Sequence, residues 1–176
     1  MTLKLNGSSS GSVSIDAPAD TTGGADKTLT LPENGFGKIL QVVTATNNTA
    51  SQEPSANDTW TDVAPTASIT PSSTSSRIII VSSCSLIVRN NQYIGFKLLR
   101  GSTGIREWWG YNDNSNWQML QSPPMHIDSP STTSAITYKF QIYGDQNYDD
   151  IKWNYNGPNS SNSLRNAELY LAEIGP

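Results

Sequence analysis

The 176-residue chain has one cysteine, Cys84, and one histidine, His126. A single cysteine excludes an internal disulfide and a cysteine-built zinc site. A single histidine excludes a two-histidine metal centre and leaves one candidate base for a nucleophilic triad. Charge is scarce as well: 15% of residues are Asp, Glu, Lys or Arg, against about 25% in an ordinary globular domain. The balance is acidic, net −4 with a pI near 4.8, which opposes nucleic-acid binding because phosphates need a basic face. No apolar run approaches the roughly 18–20 residues that span a bilayer. The opening MTLKLNGSSSGS lacks the charged and apolar regions of a secretory signal. No nucleic acid, membrane insertion, cofactor or metal is expected, and no enzyme activity.

Ser, Thr and Asn fill the gap, at roughly a third of the chain, well above ordinary usage. These side chains hydrogen-bond locally and favour turns and strands over helix interiors. Apolar residues do not recur at helical spacing for more than a turn, so the chain is expected to be all-β.

Residues 1–37 differ from the rest. Leu3/Leu5, Val13/Ile15 and Leu29/Leu31 are apolar pairs at strand period, separated by the Gly- and Ser-rich pieces NGSSSGS and APADTTGGADK. Such short strands bury too little to stand alone. The segment is therefore expected to wind around copies of itself or dock on a partner, as an extended shaft or anchor. A flexible linker would not keep the paired apolar residues. Residues 38–176 form the second domain. Strands are expected at 39–43, 60–69 with a break near Pro65, 77–89, 93–100, 105–109, 117–120, 135–143, 151–155 and 167–174. The alternation is clearest at Tyr138, Phe140 and Ile142. Eight or nine strands punctuated by turns imply an antiparallel β-sandwich of jelly-roll type.

The most unusual stretch, 108–117, sets Trp108, Trp109, Tyr111 and Trp117 among Asn112, Asn114 and other Asn and Asp residues. Aromatic faces with convergent polar groups are how small-ligand sites are built, so these six residues are candidates for glycan contact. In a strand, one of Trp108 and Trp109 must face inward, toward the core or a subunit interface where aromatics are enriched. Asp145, Asp149 and Asp150 could offer oxygen ligands to calcium, but their spacing is not that of an EF-hand, and a solvated acidic loop explains them. With Glu107 and Asp113 they could also supply a glycosidase carboxyl pair, which needs a cleft and a separation of roughly 5–10 Å. His126 reads as a surface or interface residue. Cys84 lies within 77–89 and reads as a small buried hydrophobe.

Several blocks in order — LKLNGSSSG at 3–11, APA at 17–19, LTLP at 29–32, ITPSSTSS at 69–76, LLRGST at 98–103, DSPSTTS at 128–134 and LYLAEI at 169–174 — resemble bacteriophage tail-fibre proteins, particularly those of marine phages. The resemblance covers nearly the whole chain and implies a virion structural protein made in the host cytoplasm. It implies a homotrimer that joins other phage virion proteins in a fibre or spike and engages the host cell surface, with a surface glycan as the ligand. In that family these blocks end a longer fibre that begins with an anchor, whereas here the shaft-like block directly follows Met1. Leu3, Leu5, Val13, Ile15, Leu29 and Leu31 would then hold the trimer or the virion. Alternatively, the chain is a capsid decoration protein (a head fibre) anchored by residues 1–37. A third reading is a polysaccharide-cleaving fibre enzyme.

Overall fold

The computed structural model describes residues 2–6, 12–16, 38–48, 52–120, 125–155 and 167–175. The chain divides into two compact units, Met1–Glu33 and Asn34–Pro176. In the first, β1 (Thr2–Asn6) and β2 (Ser12–Asp16) pair antiparallel, with Leu3 opposite Ile15 and Leu5 opposite Val13. The first two apolar pairs thus lie opposite one another in backbone register. Leu29 and Leu31 lie outside the described residues.

The second unit is built from β3 (Ile39–Asn47), β4 (Thr61–Ile69), β5 (Arg77–Ser83), β6 (Leu86–Val88), β7 (Gln92–Arg100), β8 (Thr103–Asn112), β9 (Gln118–Leu120), β10 (His126–Asp128), β11 (Ile136–Gly144), β12 (Ile151–Trp153) and β13 (Ala167–Ile174). One short 3-10 turn, Tyr148–Asp150, precedes β12. Two four-stranded antiparallel sheets have the orders β10-β5-β13-β3 and β4-β11-β7-β8. Successive long strands alternate between them, except for the β7–β8 hairpin. That order is the jelly roll. The connections β3–β4, β5–β7, β8–β10 and β11–β13 therefore meet at one end of the sandwich. A third sheet, β12-β6-β9, is assembled from three of these connections and caps that end. The chain enters at the other end, where Gly175 N–H donates to Lys38 C=O.

Alternation decides which face each strand buries. β11 sends Tyr138, Phe140 and Ile142 inward; β13 sends Leu169 and Leu171; β5 sends Ile78 and Ile80; β7 sends Ile94, Phe96 and Leu98. Together with Trp153 of the cap sheet, these residues form one apolar core. Each fully buried side chain of this size is worth roughly 1.5–3 kcal/mol.

Two sequence expectations need correction. Residues 77–89 are not one strand: the ladder ends at Ser83 and restarts at Leu86 in a different sheet. Cys84 lies in that break, half-buried and packed against the core. Pro65 does not break its strand. β4 is an edge strand, where a missing donor is tolerated, and a bulge there sets Ala64, Pro65 and Thr66 against Lys139 alone. The displaced groups are satisfied: Ala64 N–H donates to Gln52 Oε1 at 2.6 Å, and Trp153 Nε1 donates to Ala64 C=O at 2.8 Å. His126–Asp128, outside the expected strands, forms an edge strand beside β5 and leaves His126 half-buried.

Two of the buried carboxylates, Asp128 and Glu173, are tied into the sandwich. Asp128 accepts from the buried Tyr138 hydroxyl at 2.7 Å and from Arg100 Nη1 at 3.1 and 3.2 Å. Burial, and then that bond to a carboxylate, push the Tyr138 phenol far above its usual range. Glu173 is fully buried on the Leu169–Leu171 side of β13. Burial pushes its carboxyl up, but the Ser72 hydroxyl and backbone N–H (2.6 and 2.7 Å) and Gln41 Nε2 (2.6 Å) prevail and hold it at about 2.

Candidate functional site

The aromatic residues that remain outside are gathered on the outward face of the β4-β11-β7-β8 sheet, at its capped end. Tyr143 pairs across the ladder with Gly95, and Gly95 with Trp109, so the three form one row over three strands. Trp60, just before β4, reaches over this row. The Trp60, Trp109 and Tyr143 rings stand 5.2–5.5 Å apart, within the range of favourable edge and tilted contacts. Gly95 is their floor. A Cβ there would lie 2.6 Å from Trp60 Cη2 and 3.2 Å from Trp109 Cζ3, so only glycine lets the rings rest on the backbone. The next row outward is Tyr93 and Tyr111, stacked at 4.7 Å.

Polar groups frame the rings. Lys97 Nζ sits 4.0 Å from the Trp60 ring centroid and 3.0 Å from Glu107 Oε1. Tyr143 O–H donates to Asp58 Oδ1 at 2.6 Å, which pushes its phenol above the usual range. Asp145 accepts from Tyr93 N–H at 2.9 Å. In the same row as Lys97, Asp62 accepts from Lys139 Nζ at 2.5 Å and Gln141 Nε2 at 2.7 Å, and its carboxyl falls below the ordinary range because of Lys139 first. Trp109 is 55% exposed. An uncovered ring face beside fixed carboxylates can take the C–H surface of a sugar while the acids and the amide take its hydroxyls.

The six glycan candidates from the sequence do not converge. Trp109 and Tyr111 are on this platform. Trp108, one residue away, faces the other side and packs against the core. Asn112 is buried; its Nδ2 donates to Val88 C=O at 3.3 Å and Asn114 C=O at 3.1 Å, and its Oδ1 accepts from Asn114 N–H. It fastens β8 to the cap sheet and is not available to a ligand. Asn114 uses its side chain on Asn116 N–H at 2.9 Å. Trp117 joins a separate cluster, with the Arg89 guanidinium 4.6 Å from its ring and Tyr155 at 6.3 Å. Trp60, Tyr93, Gly95, Lys97 and Tyr143 were missed as partners of this platform. Each is unremarkable in its own window, and only strand register brings them together.

The acidic cluster disperses too. Asp150 is fully buried, paired with Arg89 and accepting from Asn90 Nδ2 at 2.7 Å and Asn147 Nδ2 at 2.9 Å. Burial raises its pKa, but these bonds, Asn90 and Arg89 foremost, leave it lowered overall. Glu107 is held by Lys97, while Asp113 and Asp149 are exposed. Among the described residues no three His, Cys, Asp or Glu side chains gather in a group able to hold a metal ion, and no helix is long and apolar enough to cross a membrane.

No protein-family model matches the chain, and comparison with curated proteins gives no match. Among solved structures, that of the infectious bursal disease virus Gt strain is similar over 97% of this chain and 47% of that one, at 14% identity and a TM-score of 0.40. The T13 viral particle of the same virus is similar over 94% and 43%, at 13% identity and 0.41. The chain thus spans less than half the length of these proteins. A likeness this distant transfers no function; the jelly-roll assignment rests on strand order.

Proposed function

We propose that this protein is a structural component of a bacteriophage virion, a homotrimeric fibre or spike part that engages a glycan on the host cell surface. The ordered blocks that resemble those of tail-fibre proteins support the virion setting. The observation that carries the binding role is the exposed platform of Trp60, Trp109 and Tyr143 over Gly95. The reading is binding rather than catalysis: Asp150 and Glu107 are held in ion pairs, and the platform lies on the outward face of a sheet, whereas glycoside hydrolysis needs a carboxyl pair in a cleft.

The test is binding of fluorescently labelled full-length protein to host cells and to immobilised neutral oligosaccharides. Trp109→Ala removes the most exposed ring of the platform and should weaken binding about tenfold per site, the equivalent of about 1.4 kcal/mol. A folded Trp109→Ala protein that binds as the parent does would remove the platform from the mechanism.

A further inference from the structure

The outward face of the other sheet, β10-β5-β13-β3, is apolar where a water-facing antiparallel sheet carries polar residues. In register, Ile127, Ile79, Ala172 and Val42 form one unbroken row across all four strands. Beside it runs a second row of Val81, Tyr170 and Thr44. Ile39 and Val42 are each 57% exposed and Ile127 is 44% exposed. Neither central row holds a charge; Arg77 and Glu168 stand at opposite ends of the face. In a chain roughly one-third Ser, Thr and Asn, polar residues were to hand for these positions, and branched apolar ones occupy them.

We infer, building on the homotrimeric reading above, that this face is where three copies of the chain meet, around a threefold axis running with the strands. Uncharged rows fit a like, uncharged surface and offer nothing to an acidic or basic partner. The dimensions also fit. Four strands at about 4.8 Å give a face roughly 19 Å wide. Three such faces closed into a triangular prism put each sheet roughly 5.5 Å from the axis, about half the ~10 Å spacing of packed sheets. Side chains from the three copies therefore meet at the axis and leave no channel. With strands of about eight residues the face measures roughly 500 Å² in plan, at the upper end of patches left bare on monomers and near the ~800 Å² per partner of a standard interface once its relief is counted. The arrangement points the three aromatic platforms outward, since they lie on the opposite sheet.

Light scattering on the full chain tests this, with Val42→Glu/Ile127→Glu as the variant. The parent should have three times the 19.1 kDa chain mass, and the variant, with unchanged circular dichroism, should need at least a hundredfold higher concentration to associate. Both side chains are already exposed in a single copy, so the charges should not unfold it. If they do, Val42→Thr/Ile127→Thr keeps the branched shape and should weaken association about tenfold. Peroxide oxidation gives an independent readout. Met125, immediately before β10, should be protected relative to Met119 of β9 in the parent, and equally reactive in the variant. Trimers that persist in both variants, with Met125 oxidised as fast as Met119, would overturn this interface while leaving the trimer in place. A monomeric or dimeric parent would overturn the threefold assembly itself, and sugar binding by that parent would show the platform standing without it.

Discussion

A single methyl group at Gly95 tests the platform at its floor. Gly95→Ala needs no unusual backbone, so its effect is steric: the new Cβ would stand 2.6 Å from Trp60 Cη2 and 3.2–3.3 Å from two atoms of the Trp109 ring. The Trp60 indole has to swing away. It then loses its edge contact with Trp109, worth about 0.5–1.5 kcal/mol, and its Lys97 ammonium, worth about 0.5–1 kcal/mol. The loss of chain entropy in the unfolded state returns about 0.4–1 kcal/mol. The net cost is about 1 kcal/mol in a urea titration, with a changed near-ultraviolet circular dichroism signal from the tryptophans. Oligosaccharide binding should fall about tenfold or more, because the Trp60 ring no longer packs beside Trp109 and Tyr143. Gly104→Ala on the neighbouring strand is the control. Its Cβ would meet the flexible Lys97 side chain, nearest at Cδ, 3.3 Å away, which can shift, so stability should change by less than about 0.5 kcal/mol. If Gly95→Ala leaves the aromatic signal and the affinity as they were, the rings are not seated on that backbone and the platform is wrongly drawn.

Two further outcomes follow from the buried polar groups. Glu173 is held at about 2 in the fold against 4.5 for a free glutamate, so its stabilisation is complete above pH 4.5 and drains away as pH falls toward 2. At 1.36 kcal/mol per pH unit the ceiling is about 3 kcal/mol; allowing for solvent near the surface turn at Ser72, about 2 kcal/mol is expected. Glu173→Gln should cost that much at pH 7 in thermal unfolding and flatten the acid limb of the stability curve; an unaltered acid limb would count against the assignment. Asn112→Ala leaves Val88 C=O and Asn114 N–H without their buried partner, so a loss of about 2–3 kcal/mol is expected, read as a drop in the urea midpoint. Binding per folded molecule should be unchanged, since Asn112 lies beneath the sheet and not on the platform.

The all-β character was legible because alternation at period two is a local property. Tyr138-Phe140-Ile142 and Leu169-Leu171 announced which side of each strand would be buried before any partner was known. The adjacent Trp108 and Trp109 showed by the same rule that one must point inward; only the core behind Trp108 decided which. Local reading failed where a group's role depends on a residue far along the chain. Pro65 looks like a break in sequence, and becomes a bulge because β4 is an edge strand and Gln52 and Trp153 take up its neighbour's backbone groups. Asn112 looks like a sugar ligand beside tryptophans, and becomes a clasp because register aims it at Val88. The platform joins Trp60, Gly95, Trp109 and Tyr143 across as many as 83 positions of sequence, and no window of the chain contains it. Composition and period fix strand identity and facing through short-range sterics and solvent preference. Which strands lie side by side, and so which rings share a surface, is settled by pairing between distant segments, a choice made by the folded sandwich as a whole.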